Sequence, residues 1–189
     1  RLLSIQPKTG AIRDSLLQDE AHMLQRLGRV DEMVDNYDRR VKDAYENPAL
    51  RLALLRRKGT ALIGQPDVER TIAALRDYQA ATEPKSEKWR DATALIAFAL
   101  ERAERYREAI VVRKQVLDLD PLAAGWWLVL ARDQQALGLN DEARKSLDEA
   151  EINAQALSAN KANRPTKAQQ ARFEEEIAKV RKLVGPAAN

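Results

Sequence analysis

Apolar positions along this chain recur at helical spacing. Leu17, Ala21 and Leu24 are followed by Val30, Met33, Val34, Tyr37 and Val41, at offsets of three, four and seven. Leu55, Gly59 and Leu62 precede Ile72, Leu75 and Tyr78 in the same way. Ile96, Ala97 and Leu100 precede Ala109, Val112 and Val116, and Trp127, Leu130 and Ala131 precede Ala143, Leu147 and Ala150. Polar residues fill the other faces, so the pattern predicts amphipathic helices in pairs. Asn47-Pro48, Glu83-Pro84 and Asp120-Pro121 lie 36 and 37 residues apart. A residue before proline is pushed out of the α region, so each pair marks a helix boundary. Softer breaks fall between them, at Gly28, Gly64-Gln65-Pro66, Glu104-Arg105 and Gly138. Each period is therefore helix, short turn, helix, and a period of this length is the mark of a repeat array.

One small residue, Ala21, Gly59, Ala97 or Ala131, sits inside each first helix. A small side chain there lets the paired helix approach closely. A last stripe, Phe173, Ile177, Val180 and Val184, predicts a final helix with Glu174, Glu175 and Lys182 on its other faces. A terminal repeat needs such a polar-backed cap.

The segment Trp127, Leu130, Ala131, Gly138, Ala143, Leu147 and Ala150 resembles a tetratricopeptide repeat (TPR) motif. Tyr106-Arg107-Glu108-Ala109-Ile110, running on to Asp120-Pro121, is similar to the second TPR helix with its closing proline. Leu17, Ala21, Leu24, Gly28 and Tyr37 match in the first period, and Leu55, Gly59, Leu62, Leu75 and Tyr78 in the second. The chain departs from the motif at Thr93 and Arg113, where larger apolar residues are usual, and at Met33 and Thr71, where alanine is. The resemblance implies an all-α fold, an α-α superhelix (TPR-like solenoid) of about four helix pairs plus a C-terminal capping helix. The expected organisation is the end of a preceding helix or repeat over 1–10, and four repeats at about 11–47, 48–83, 84–120 and 121–158. A linker over 159–165, the capping helix over 166–185 and a tail over 186–189 follow.

Composition agrees with helices. Aromatic residues are only 5% of the chain and charged ones 32%, and the strong helix formers Ala, Leu, Arg, Glu and Gln dominate. No apolar stretch approaches the roughly 20 residues that cross a bilayer. The opening Arg1-Leu2-Leu3-Ser4-Ile5-Gln6-Pro7 reads as the end of a helix and its breaker, so the array is expected to begin inside a longer parent. Arginine outnumbers lysine, 21 to 11, which suggests a GC-rich bacterial source and leaves the compartment open between cytoplasm and bacterial periplasm.

The formal net charge is +3. Residues 161–182 carry seven Lys/Arg against three Glu, so the rest of the chain sums to −1. Phosphate binding wants a continuous basic face, and no nucleic-acid partner is expected. With one histidine and no cysteine, Cys–His nucleophiles, thiolate metal sites and multi-His metal sites cannot be built. No phosphate-cradling G-x-x-x-x-G-K-[ST] occurs. Asp31-Glu32 and Glu174-Glu175-Glu176 read as helix-start charges and solvated faces. No enzyme, cofactor or metal is expected.

The TPR resemblance implies that the first helices of successive pairs line a concave groove. The positions it points to are Ser15, Gln18, His22 and Gln25; Ala53, Arg56, Thr60 and Ile63; Asp91, Ala94, Phe98 and Glu101; and Gly125, Leu128, Arg132 and Gln135, with Arg57 and Arg102 at the rim. Arg56, Arg132, Phe98 and Leu128 are the natural anchors, since an arginine forks onto a carboxylate and a ring offers an apolar platform. Phe98 and Leu128 are equally compatible with packing between helices. Chaperone-adaptor TPR domains grip a terminal carboxylate with a Lys/Asn clamp, which Gln18 and His22 replace here. Trp127 falls at a core position of the motif, Trp126 does not, and Trp89 is placed to staple the start of its helix.

The expected function is a protein–protein interaction scaffold holding a peptide or protein partner within a larger assembly. The candidate partner-binding set is Arg56, Arg57, Thr60, Phe98, Arg102, Leu128, Arg132 and Gln135. The alternative is a self-assembling or regulatory repeat segment of a longer envelope, export or enzyme protein, in which a homo-oligomer is possible.

Overall fold

Three turns share one backbone device. Arg29 N–H donates to Leu24 O, Arg105 N–H to Leu100 O and Leu139 N–H to Gln134 O, each at 2.9 Å. These bonds close Schellman turns around Gly28, Glu104 and Gly138, whose φ angles are +70°, +59° and +71°. The turn reverses the chain within a few residues, so the next helix is delivered antiparallel to the one just ended. Glu104 takes the left-handed conformation without being glycine, and in the sequence only a polar Glu-Arg step marks the break there.

The structure is a computed structural model and describes residues 10–160 and 164–185, with side chains from Ser15 onward. Among the described residues it is entirely helical: α1 (Gly10–Arg26), α2 (Val30–Asp43), α3 (Pro48–Leu62), α4 (Val68–Ala80), α5 (Glu87–Arg102), α6 (Tyr106–Leu117), α7 (Ala124–Ala136), α8 (Asn140–Ala159) and α9 (Lys167–Val184). The helix end expected over residues 1–9, the middle of the linker at 161–163 and the tail at 186–189 lie outside the described residues.

Helix starts follow local chemistry. Asn47 Oδ1 accepts from Leu50 N–H at 3.0 Å, with Pro48 in the first turn where its missing N–H costs nothing. Asp67 and Ser86 cap α4 and α5 in the same way, at 2.9 and 3.2 Å. Thr166 and Gln169 form a reciprocal capping box at the start of α9. Arg29 pairs with Glu32, and Arg105 with Glu108, directly after two of the Schellman turns.

The chain divides between Thr82 and Glu83 into two compact units. The first holds α1–α4 around Ala21, Leu24, Met33, Val34, Tyr37, Leu54, Leu62 and Ala74. Met33 and Thr71, the two departures from alanine, are both buried. Thr71 satisfies its hydroxyl on Leu62 O (3.0 Å) and Asp67 O (3.1 Å), so its burial leaves no orphan donor. The second unit holds α5–α9. Ala92, Ile96, Ala97, Leu100, Ala109 and Val116 are buried there, and Leu128, Ala131, Ala143, Leu147 and Ala150 meet Ile177, Val180 and Val184 of α9. Trp127 and Phe173 pack against that cluster, and Trp127 Nε1 donates to Pro121 O at 2.7 Å.

Gly59 tests the close-approach argument. A Cβ placed there would stand 2.4 Å from Leu75 Cδ2 and 2.9 Å from its Cγ, and Leu75 is itself fully buried. Overpacking costs about 1–3 kcal/mol, against about 1 kcal/mol of helix propensity gained by Gly→Ala. Gly59→Ala is therefore expected to lower stability by about 1 kcal/mol, read as a lower urea midpoint. A raised midpoint would show that Leu75 rearranges freely.

Candidate functional site

First-helix positions in each unit set the candidate face. In the first unit, Arg57 Nη1 donates to Gln18 Oε1 at 2.9 Å, and Gln25 Nε2 donates to Ala61 O at 2.9 Å. These bonds bring the α1 and α3 positions together. Arg56 and Arg57 are exposed, Thr60 is half-buried and turns its hydroxyl back onto Arg57 O (3.0 Å), and His22 is exposed. Gln18 is half-buried.

In the second unit Phe98 keeps 45% of its surface in solvent, and Arg102 is exposed. Gln135 is half-buried. Leu128 is a correction: it is only 7% exposed, packed in the cluster that α9 closes over α7 and α8. Its apolar side chain gains more from that burial than from solvent, so it is no partner anchor. Arg132 also differs from the expectation. Its guanidinium meets Glu101 Oε1 at 3.2 Å while remaining half-exposed, so a partner carboxylate would compete with Glu101 for it.

Glu101 belongs to a larger arrangement. Arg113 of α6, only 3% exposed, donates from Nε to Asp133 Oδ2 at 2.5 Å and from Nη2 to Glu101 Oε2. The order Arg132–Glu101–Arg113–Asp133 alternates sign and links α5, α6 and α7. Asp133 is 1% exposed. Burial holds its carboxyl above the ordinary range, opposed by the charge and hydrogen bond of Arg113. Its second oxygen, Oδ1, is buried without a hydrogen-bond partner. This explains why Arg113 stands where an apolar residue is usual: its charge is used inside the fold. The departure at Arg113 is visible in the sequence, but Asp133 offers no signal there beyond being one acid among many.

Three cations of the basic stretch over residues 161–182 are engaged locally. Lys179 bridges Glu175 (2.8 Å) and Glu176 (2.9 Å), Arg181 bridges Asp148 (3.1 Å) and Glu151 (3.0 Å), and Arg164 Nε donates to Ser158 O at 2.8 Å. Among the described residues, no group of three or more His, Asp or Glu is arranged to hold a metal, and no helix is long and apolar enough to cross a membrane.

Solved structures match this arrangement of helices. A kinesin-light-chain candidate from Podosopora anserina, built of nearly identical TPR-like repeats, is 18% identical, covers 89% of this chain and 94% of its own, and superposes with a TM-score of 0.55. A single-residue variant of that protein is 19% identical over 90% of this chain and 94% of its own, with a TM-score of 0.57. The MamA RS-1 ArsTM double mutant is 14% identical over 88% of this chain and 93% of its own, with a TM-score of 0.52. The chain has a TPR-like fold. No family model and no curated protein sequence matches it. Among the first-helix positions predicted to bind, Arg56 and Arg57 of the first unit and Phe98, Arg102 and Arg132 of the second are exposed, and Glu101 ties Arg132 to the interior through Arg113.

Removing one member of a buried ion set leaves an uncompensated charge, at a cost of about 3 kcal/mol or more. Arg113→Met is expected to destabilise by that order, and Arg113→Met with Asp133→Leu to recover to within about 1 kcal/mol of wild type. The pH dependence has a definite sign. An acid whose folded-state pKa lies above its unfolded value contributes stability that is present at low pH and lost as pH rises through the folded pKa. Without Arg113 the carboxyl of Asp133 is raised further, so the stability gap between Arg113→Met and wild type narrows on acidification. A pH-independent gap in urea titrations would contradict this.

Proposed function

We propose that this TPR-like chain is a protein-interaction scaffold and that its first-helix faces hold a peptide or protein partner. The observation that carries the reading is the chemistry left outside the packed cores. Arg56 and Arg57 stand exposed on α3. In the second unit Phe98 and Arg102 are exposed on α5, and Arg132 of α7 is half-exposed. Cationic forks together with an exposed ring suit an acidic segment that also carries an apolar anchor.

The burial of Leu128 narrows the apolar component to Phe98. Because Arg132 is already paired with Glu101, the reading gives the cationic role in the second unit mainly to Arg102. A partner carboxylate at Arg102 would sit within reach of the phenyl platform one helical turn away.

The test is a peptide-display selection against the wild-type chain, followed by titration of the selected peptides. Acidic sequences with an aromatic or aliphatic anchor are expected to be enriched. Phe98→Ala with Arg102→Glu should weaken them by about tenfold or more, with the helical melt unchanged because both side chains lie at the surface. Undiminished binding by a folded double variant would sink the first-helix assignment.

A further inference from the structure

A second surface has the opposite chemistry. In the second unit, the C-terminal half of α8, one side of α9 from Gln169 to Arg181 and the turn entering α7 enclose an open cleft of about 1080 Å³. Of the positions named for the first-helix face it shares only Gly125. Its apolar lining includes Ala123, Ala154, Phe173 and Ile177, and Leu122 and Leu157 stand at the mouth. Leu122 leaves 72% of its surface in water and Leu157 43%. Exposed large side chains gathered beside a cleft mark an interaction site more often than a solvated surface.

Size and charge narrow the occupant. The volume lies at the upper end of the roughly 300–1,000 Å³ of small-molecule pockets, and the open form leaves room for a stretch of polypeptide. The charged lining is Asp120, Glu151, Glu174 and Arg181, three carboxylates against one guanidinium. That guanidinium is already held by Asp148 at 3.1 Å and Glu151 at 3.0 Å. Glu174 stands exposed at the rim. Asp120 is in turn held by Arg90 at 3.2 Å, so the negative charge that an incoming lysine or arginine meets is that of Glu174 and Glu151, and an incoming carboxylate finds repulsion there.

The cleft walls are also braced at both ends of α9. Near its start, Gln170 Nε2 donates to Ser158 Oγ. At its end, Arg144 Nη1 donates to Val184 O and Gly185 O, each at 3.3 Å. A site whose walls are fixed before binding loses less entropy on association.

We propose that the α8–α9 cleft docks a cationic, apolar peptide segment of a partner protein, separate from the acidic segment assigned to the first-helix face. Leucine-type side chains enter between Phe173, Leu122 and Leu157, and a lysine or arginine lies against Glu174 and Glu151.

The experiment is fluorescence anisotropy on the whole chain with three labelled probes: an amphipathic Leu/Lys peptide, its Leu/Glu counterpart, and a Lys peptide without leucine. The Leu/Lys probe is expected to bind at least about tenfold more tightly than either of the others. Leu122→Lys with Glu174→Lys should erase that preference with the circular-dichroism melt unchanged, and Glu174→Lys alone serves if the double variant melts early. Phe98→Ala with Arg102→Glu should leave it intact, so failure here is separable from failure of the first-helix reading. Equal affinity for the three probes, or a preference retained in the folded cleft variant, overturns the proposal. A concentration-dependent dimer in sedimentation that the cleft variant dissolves would also overturn it, by making the occupant a second copy of the chain.

Discussion

Close approach of the two helices in a pair is the constraint on which the rest of this fold rests. Helix axes come together only where the side chains between them are small, and in this chain those positions are Ala21, Gly59, Ala97 and Ala131, all buried. Gly59 shows how little space is left, since a single added carbon would collide with Leu75. Once the small positions meet, Leu62, Leu75, Leu130 and Leu147 are enclosed almost completely. Each such side chain contributes roughly 2 kcal/mol of burial. The faces that remain outside are then set by rotation of each helix about its axis, with no further choice available.

Between pairs the second unit adds an electrostatic link. Arg113 lies on a second helix and reaches forward to Asp133 and back to Glu101. Taking both charges out of water is costly, and only the short, directed hydrogen bonds and mutual attraction offset it. An arrangement of this kind adds little net stability but tolerates few alternative positions of its members. It therefore fixes α5, α6 and α7 against one another, and through Glu101 it orients Arg132 at the surface. The candidate partner face is thus continuous with the interior chemistry.

The exposed surfaces separate by charge. Within the second unit, Phe98, Arg102 and Arg132 are exposed on the first helices of the pairs, whereas Glu151 and Glu174 line the apolar cleft beside α9. Of the lysines and arginines that make the chain basic overall, Lys179 and Arg181 are engaged by carboxylates of α8 and α9. Net charge is consequently a poor guide to what this molecule binds, because local pairing decides which charges face a ligand.

Among the described residues, the all-helical class and the helix–turn–helix pairs were legible in the sequence because they depend on local rules. Apolar spacing, proline boundaries, glycine at positive φ and side-chain caps all act within a few residues. The small residue in each first helix was equally legible, since its periodic recurrence needs no coordinates. Tertiary structure alone decided the fate of individual side chains. Leu128 had the pattern of either a groove residue or a core residue, and only the position of α9 buried it. Arg113 read as an imperfection in the motif until Asp133 and Glu101, distant in sequence, arrived beside it. The α8–α9 cleft left no sequence signal, because it is made of ordinary alanines, leucines and acids whose meaning lies in the gap between two helices. Local periodicity fixes which residues share a face of one helix, but what that face meets depends on contacts between segments far apart in the chain.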